Sequence, residues 1–136
     1  MIKYFGELMY KKKFGRIINF GSDLSVISPN QDIYKKSYSN YLKPVSYSVI
    51  KHGLVGMTKY FASIYADKHV TCNMVSPGPV LNDQSISLIS NIKKNTPMKR
   101  LANPKDLIGV IKFLLSKESR FITGQNILVD GGKTLI

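Results

Sequence analysis

Three short strand-like runs, separated by helical patterns, constrain what this chain can fold into more than any other feature. Arg16-Ile17-Ile18-Asn19-Phe20 is stopped by Gly21-Ser22, and the run from Val70 to Val75 is stopped by Ser76-Pro77-Gly78-Pro79. The third, Asn126 to Val129, ends in Asp130-Gly131-Gly132. Apolar, β-branched runs that end on glycine or proline read as strands closed by turns. Ahead of the first strand, residues 2–13 place Ile2, Phe5 and Leu8/Met9 at helical spacing. Lys11 to Lys13 fall at the end of that helix, where cations suit its dipole. Over 45–66, Tyr47, Ile50, Leu54, Met57, Phe61 and Tyr65 recur at three and four, and Gly53 and Gly56 leave room for close packing. Asn103-Pro104 opens another helix running to about Ser116, with proline at its first position and Asp106 near its positive end. Alternation of this kind predicts an α/β fold with a parallel sheet. Ligands of such sheets sit beyond the carboxyl ends of the strands.

Two segments lack a clear period. Residues 23–44 mix Ser, Asn, Asp and Pro with Tyr34, Lys35, Lys36, Tyr38, Tyr41 and Lys43. They are expected to form a loop longer than compact domains usually carry without a function. Residues 80–100 are expected to be irregular or weakly helical.

A chain of 136 residues is enough for one domain and too short for two ordinary ones. No apolar run approaches the ~18 residues of a membrane span. The lone Cys72 excludes an internal disulfide framework and suits a reducing cytoplasm, the expected location. The formal net charge of +12 could serve nucleic acid, an acidic surface or an anionic small substrate. The basic residues are dispersed, however, and the longest run is Lys11-Lys12-Lys13. No Cys/His finger spacing or aromatic RNP-like strand accompanies them, so the charge points away from nucleic acid. No metal-ligand spacing stands out either.

Of eight tyrosines, only Tyr47 has a lysine four residues later, Lys51. On a helix the phenol and the ammonium lie one above the other. A phenol beside a fixed cation is a stronger acid and can move a proton near neutrality. The same spacing also arises where a half-buried tyrosine and a solvated lysine share a helix face, so the pair alone leaves both readings open. Ser22 after the first strand, Pro77-Gly78 after the second and Tyr47 at the start of the helix between them converge on one edge of the sheet.

Four motifs, in order, then resemble the C-terminal half of the short-chain dehydrogenase/reductase family. They are Gly15-Arg16-Ile17-Ile18-Asn19-Phe20-Gly21-Ser22, Tyr47-Ser48-Val49-Ile50-Lys51-His52-Gly53, Val70-Thr71-Cys72-Asn73-Met74-Val75-Ser76-Pro77-Gly78 and Thr123-Gly124-Gln125-Asn126-Ile127-Leu128-Val129-Asp130-Gly131-Gly132. The resemblance implies the C-terminal part of a Rossmann-like doubly wound sheet, with three strands and flanking helices, and an NAD- or NADP-dependent oxidoreductase. By that resemblance Tyr47 exchanges a proton with the substrate oxygen, and Lys51 lowers the Tyr47 pKa and bonds the nicotinamide ribose. Ser22 holds the same substrate oxygen. Pro77, Gly78 and the backbone near Val80 meet the nicotinamide carboxamide, and Asn82 stands where the family often has a threonine that bonds cofactor phosphate.

Ser22 and Tyr47 lie 25 positions apart (47 minus 22), where family members use roughly half that spacing. Ser25 and Ser28 therefore remain alternatives to Ser22. The lengthened 23–44 segment resembles that of bacterial members associated with surface-sugar and flagellin-glycan synthesis. It would either cover an anionic sugar derivative or form a variable surface loop. Within these residues there is no Gly-x-x-x-Gly-x-Gly phosphate turn and no Asn-Asn-Ala-Gly strand. Residues 1–136 are accordingly expected to be one partial domain, the catalytic half, without the N-terminal βαβ half that holds dinucleotide phosphates. Alone it is expected to be inactive. Its expected partners are a small-molecule substrate and either a second copy or a complementary N-terminal half. The alternatives are a non-catalytic remnant that serves as an interaction module and, third, a basic nucleic-acid-binding protein.

Overall fold

A computed structural model describes residues 1–38 and 41–136. Ser39 and Asn40, part of the expected 23–44 loop, lie outside the described residues. Helix α1 spans Ile2–Lys12 and ends where Lys13 turns left-handed, at φ 54°. Strand β1 follows at Gly15–Phe20, the short helix α2 at Gln31–Lys35, the long helix α3 at Val45–Tyr65 and strand β2 at Val70–Pro77. Helix α4 covers Ile86–Lys94, α5 covers Ile108–Leu115 after a 3-10 turn over Pro104–Leu107, and strand β3 covers Asn126–Val129. The sheet is parallel throughout, in the order β1-β2-β3.

The burial of β2 reflects its central place. Val70, Cys72, Met74, Val75 and Ser76 are fully enclosed, as expected of a parallel strand covered on both faces. Helix α1 packs against α3, β1 and β2, α3 packs against β2, and α5 lies against β1 and β2. Gly6 permits the α1–α3 contact: a Cβ there would come within 2.9 Å of the Tyr65 hydroxyl. Among the described strands β1 pairs only with β2, so its other side is an edge.

Three expectations need correction. The 23–44 segment is not all loop. A 3-10 turn covers Asp23–Ser25, and Asn30 caps α2 by accepting from the Asp32 amide at 3.0 Å. What holds so short a helix is tertiary: Ile33 is buried with Leu88, Ile92 and Leu101. Residues 80–100 likewise contain a regular helix, α4, capped by Ser85 and anchored by Leu88 and Ile92. On α3 the face turned inward ends in Thr58, Ala62 and Tyr65, whereas Ile50 is exposed. Thr58 can be buried because its hydroxyl accepts from Asn19 Nδ2 at 3.0 Å and donates to the Leu54 carbonyl at 2.7 Å. Gly53 and Gly56 face open space among the described residues, beside exposed Val49, Ile50 and Tyr60.

Candidate functional site

The carboxyl ends of β1 and β2 open on a cavity of about 320 Å³. Ser22, Tyr47, Pro77, Gly78 and Val80 all line it. Tyr34 and Lys43 line it as well, brought there by the 23–44 segment.

Pro44, with φ −65° and ψ 146°, starts α3 and puts Tyr47 in the first turn, half-buried. Lys51 stands one turn further on, its Nζ 5.5 Å from the centre of the Tyr47 ring. Lys51 and Asn82 do not line the cavity. The Asn82 side chain is exposed, and its backbone amide donates to Gln84 Oε1 at 2.7 Å. Gln84 Nε2 in turn donates to the Val80 carbonyl at 2.7 Å and pins the turn after β2.

Lys43 occupies the position before proline, where helical backbone is disfavoured, so it approaches α3 on extended chain. Its backbone is held by one side chain: the Lys43 amide donates to Gln31 Oε1 at 2.9 Å, and Gln31 Nε2 donates to the Lys43 carbonyl at 3.1 Å. Held this way, Lys43 Nζ lies 4.1 Å from the Tyr47 ring centre and 5.5 Å from that of Tyr34. Both distances are within cation–π range. Burial, reinforced by the negative charge of Asp23 and by Tyr47 and Tyr41, pushes the Tyr34 phenol up to about 12. Tyr34 thus stays neutral, a hydroxyl able to donate.

Ser22 closes β1 and is buried. Its hydroxyl accepts from the Leu24 amide at 3.2 Å and donates to Asp23 Oδ1 at 2.9 Å. The other oxygen of Asp23 is paired with Lys133 Nζ, and both side chains are largely buried. The Asp130-Gly131-Gly132 motif delivers that lysine. Gly131 and Gly132 take φ +65° and +82°, and the Asp130 carboxylate accepts from the amides of Gly132 at 3.0 Å and Thr134 at 2.8 Å. Both glycine angles fall in the left-handed region that other residues rarely adopt. Of the alternative serines, Ser25 lies 3.2 Å from Ser76 Oγ and accepts from Asn126 Nδ2 at 3.0 Å, while Ser28 lines a separate cavity. Only Ser22 shares the cavity with Tyr47.

The expected set Ser22, Tyr47, Pro77, Gly78 and Val80 therefore comes together, with Lys51 directly behind Tyr47. Tyr34, Lys43, Asp23 and Lys133 were not among the expected site residues. For Lys43 a signal existed: it precedes Tyr47 by four residues, as Lys51 follows it by four. Nothing local in sequence announces Lys133. Among the described residues no cluster of His, Cys, Asp and Glu could hold a metal. No described helix is long and apolar enough to cross a membrane.

A parallel sheet with a serine at one strand end and a tyrosine–lysine helix beside it defines the class: the C-terminal portion of a Rossmann-type α/β protein. Residues 1–134 match the family model described as enoyl-(acyl carrier protein) reductase. The chain is 30% identical over 128 residues to post-translational flagellin modification protein A of Campylobacter coli, covering 94% of this chain and 49% of that protein. It is 35% identical over 129 residues to the 3-oxoacyl-(acyl-carrier-protein) reductase FabG of Haemophilus influenzae, covering 91% and 48%. The crystal structure of a short chain dehydrogenase from Leptospira borgpetersenii with bound NAD+ superposes with a TM-score of 0.86. That protein is 36% identical, and the match covers 97% of this chain and 50% of that one. The chain belongs to the short-chain dehydrogenase/reductase family. It spans about half the length of the relatives it matches.

Proposed function

We propose that this chain is the proton-transfer half of an NAD- or NADP-dependent oxidoreductase acting on a hydroxyl or carbonyl carbon. The observation that carries the reading is the meeting of Ser22, Tyr47 and the Pro77–Val80 turn around one cavity, with Lys51 a turn behind the tyrosine. A nicotinamide fits the donor set. The Val80 carbonyl is already taken by Gln84, and no described hydrogen bond uses the Val80 amide, which leaves it for a carboxamide oxygen. No described hydrogen bond uses Lys51 Nζ either, and an ammonium there suits ribose hydroxyls.

When bound, nicotinamide supplies or accepts the hydride. Tyr47 gives its phenolic proton to the substrate oxygen as a carbonyl is reduced, or takes it back as an alcohol is oxidised. Lys51 offsets the negative charge left on the phenolate. Ser22 presents a neutral donor to the same oxygen, aimed where charge develops; this requires its hydroxyl to turn away from Asp23. Asn82, exposed and outside the cavity, is the weakest member of the expected cofactor set.

The phosphates of the dinucleotide are held by residues outside these 136, on an N-terminal half that is either continuous with this chain or a separate partner. The free side of β1 is the edge on which a strand of that half would pair. The exposed apolar side of α3, with Val45, Val49, Ile50 and Tyr60, suits a second copy. Calorimetric titration of the 136-residue chain with NADH and NADPH tests the division of labour. No saturable binding is expected from the chain alone, and binding is expected once the N-terminal half is joined. Micromolar binding by the chain alone would overturn it.

A further inference from the structure

Charge around the candidate tyrosine is unbalanced. Lys43 Nζ stands 4.1 Å and Lys51 Nζ 5.5 Å from the centre of the Tyr47 ring. Asp23, the one carboxylate lining the cavity among the described residues, is already paired with Lys133. The ion pairs among the described residues are Lys68–Asp67, Arg100–Asp106 and Lys133–Asp23, and none includes Lys43. Tyr34 adds a hydroxyl to the same wall. Lys43 is not a loosely tethered surface lysine, because the Gln31 side chain grips its backbone at both the amide and the carbonyl. A lysine whose backbone is fixed at a cavity wall, with no counter-ion among the described residues, is arranged to meet an anion from outside.

Resting on the oxidoreductase reading above, we infer that Lys43 is a specificity-determining residue that binds an anionic oxygen group of the substrate. That group is a carboxylate or phosphate lying a few bonds from the carbon that exchanges hydride. Gln31 positions Lys43, and the 23–44 segment has a function in substrate choice. Lys51, behind the tyrosine and off the cavity wall, serves the cofactor side.

The test compares matched substrates in the chain joined to its N-terminal half. The pairs are a keto acid with its methyl ester, and a sugar phosphate with the free sugar. Lys43→Gln is expected to lower kcat/KM for the anionic member of a responding pair by about 10- to 100-fold, mainly through KM, with the neutral member changed less than about twofold. Lys43→Arg should retain most of the preference. Unchanged nicotinamide affinity in both variants shows that the fold is intact. Sensitivity in the keto acid pair alone assigns a carboxylate, and sensitivity in the sugar pair alone assigns a phosphate. An equal loss on both members of every pair would mean that Lys43 acts on Tyr47 rather than on substrate, and would overturn the inference while leaving the oxidoreductase reading standing. Nicotinamide binding without turnover of any substrate would overturn both.

Discussion

Replacing Lys133 with methionine should destabilise the chain far more than a C-terminal lysine ordinarily could. The ammonium sits on Asp23, and the two side chains keep only 11% and 5% of their surface. Lys133→Met retains most of the apolar stem but strands a buried carboxylate. Removing one member of a buried pair typically costs about 3–5 kcal/mol. Asp23 keeps its hydrogen bonds from Ser22 Oγ and the Leu24 amide, which moves the expectation to the lower end, about 3 kcal/mol. With a urea slope of about 2 kcal/mol per molar, the unfolding midpoint should fall by about 1.5 M. The chain has no tryptophan, so far-ultraviolet circular dichroism is the suitable probe. The double variant Asp23→Asn/Lys133→Met has no orphaned charge and should recover about 2 kcal/mol of that loss. A Lys133→Met midpoint within about 0.3 M of wild type, or a double variant less stable than the single one, would refute the reasoning.

Cys72 offers an independent check on the fold. Burial, only partly offset by the hydrogen bond from Asn19, pushes its thiol up to about 11. At pH 8 the folded chain should therefore resist thiol reagents and label fully only in denaturant, whereas rapid labelling in buffer would mean that β2 is not covered as described. Acid should act through Asp130. Burial raises its pKa, but the amides of Thr134 and Gly132 and the Thr134 hydroxyl outweigh it and leave the carboxyl below its usual value. A depressed folded-state pKa gives stability that is complete above the unfolded value, about 4, and is lost as pH falls through the folded one. Asp130→Asn should lower stability at pH 7 and flatten its decline below pH 4; an unchanged acid limb in a stability–pH series would contradict this.

The strands were legible because their signals are local. Each is a short apolar run, and Gly21, Pro77-Gly78 and Asp130-Gly131-Gly132 mark their ends. The start of α3 was legible for the same reason, through the apolar period that begins at Tyr47. Helix α2 was not, since five residues set no period and its stability comes from packing Ile33 on Leu88, Ile92 and Leu101. In the candidate site, Tyr47 and Lys51 are one helical turn apart, and Ser22 and Pro77-Gly78 mark strand ends, so spacing alone singles them out as candidates. The Lys133–Asp23 pair joins residues 110 positions apart, and only the folded sheet brings them together. Lys43 lies between these cases. Its spacing from Tyr47 was visible, but Pro44 removes the helical rule that would have given the spacing meaning.

The most direct test of the central claim is the rate of nicotinamide-dependent turnover by Tyr47→Phe, measured beside its cofactor affinity, in the chain joined to the N-terminal half of a full-length relative. Phenylalanine keeps the ring and removes only the proton that the mechanism moves. General acid–base groups contribute about 10²–10⁴-fold, so turnover should fall by at least about 100-fold while cofactor affinity changes less than about threefold. Turnover within about threefold of wild type would mean that Tyr47 is packing at the head of α3, and that this chain does not supply the proton.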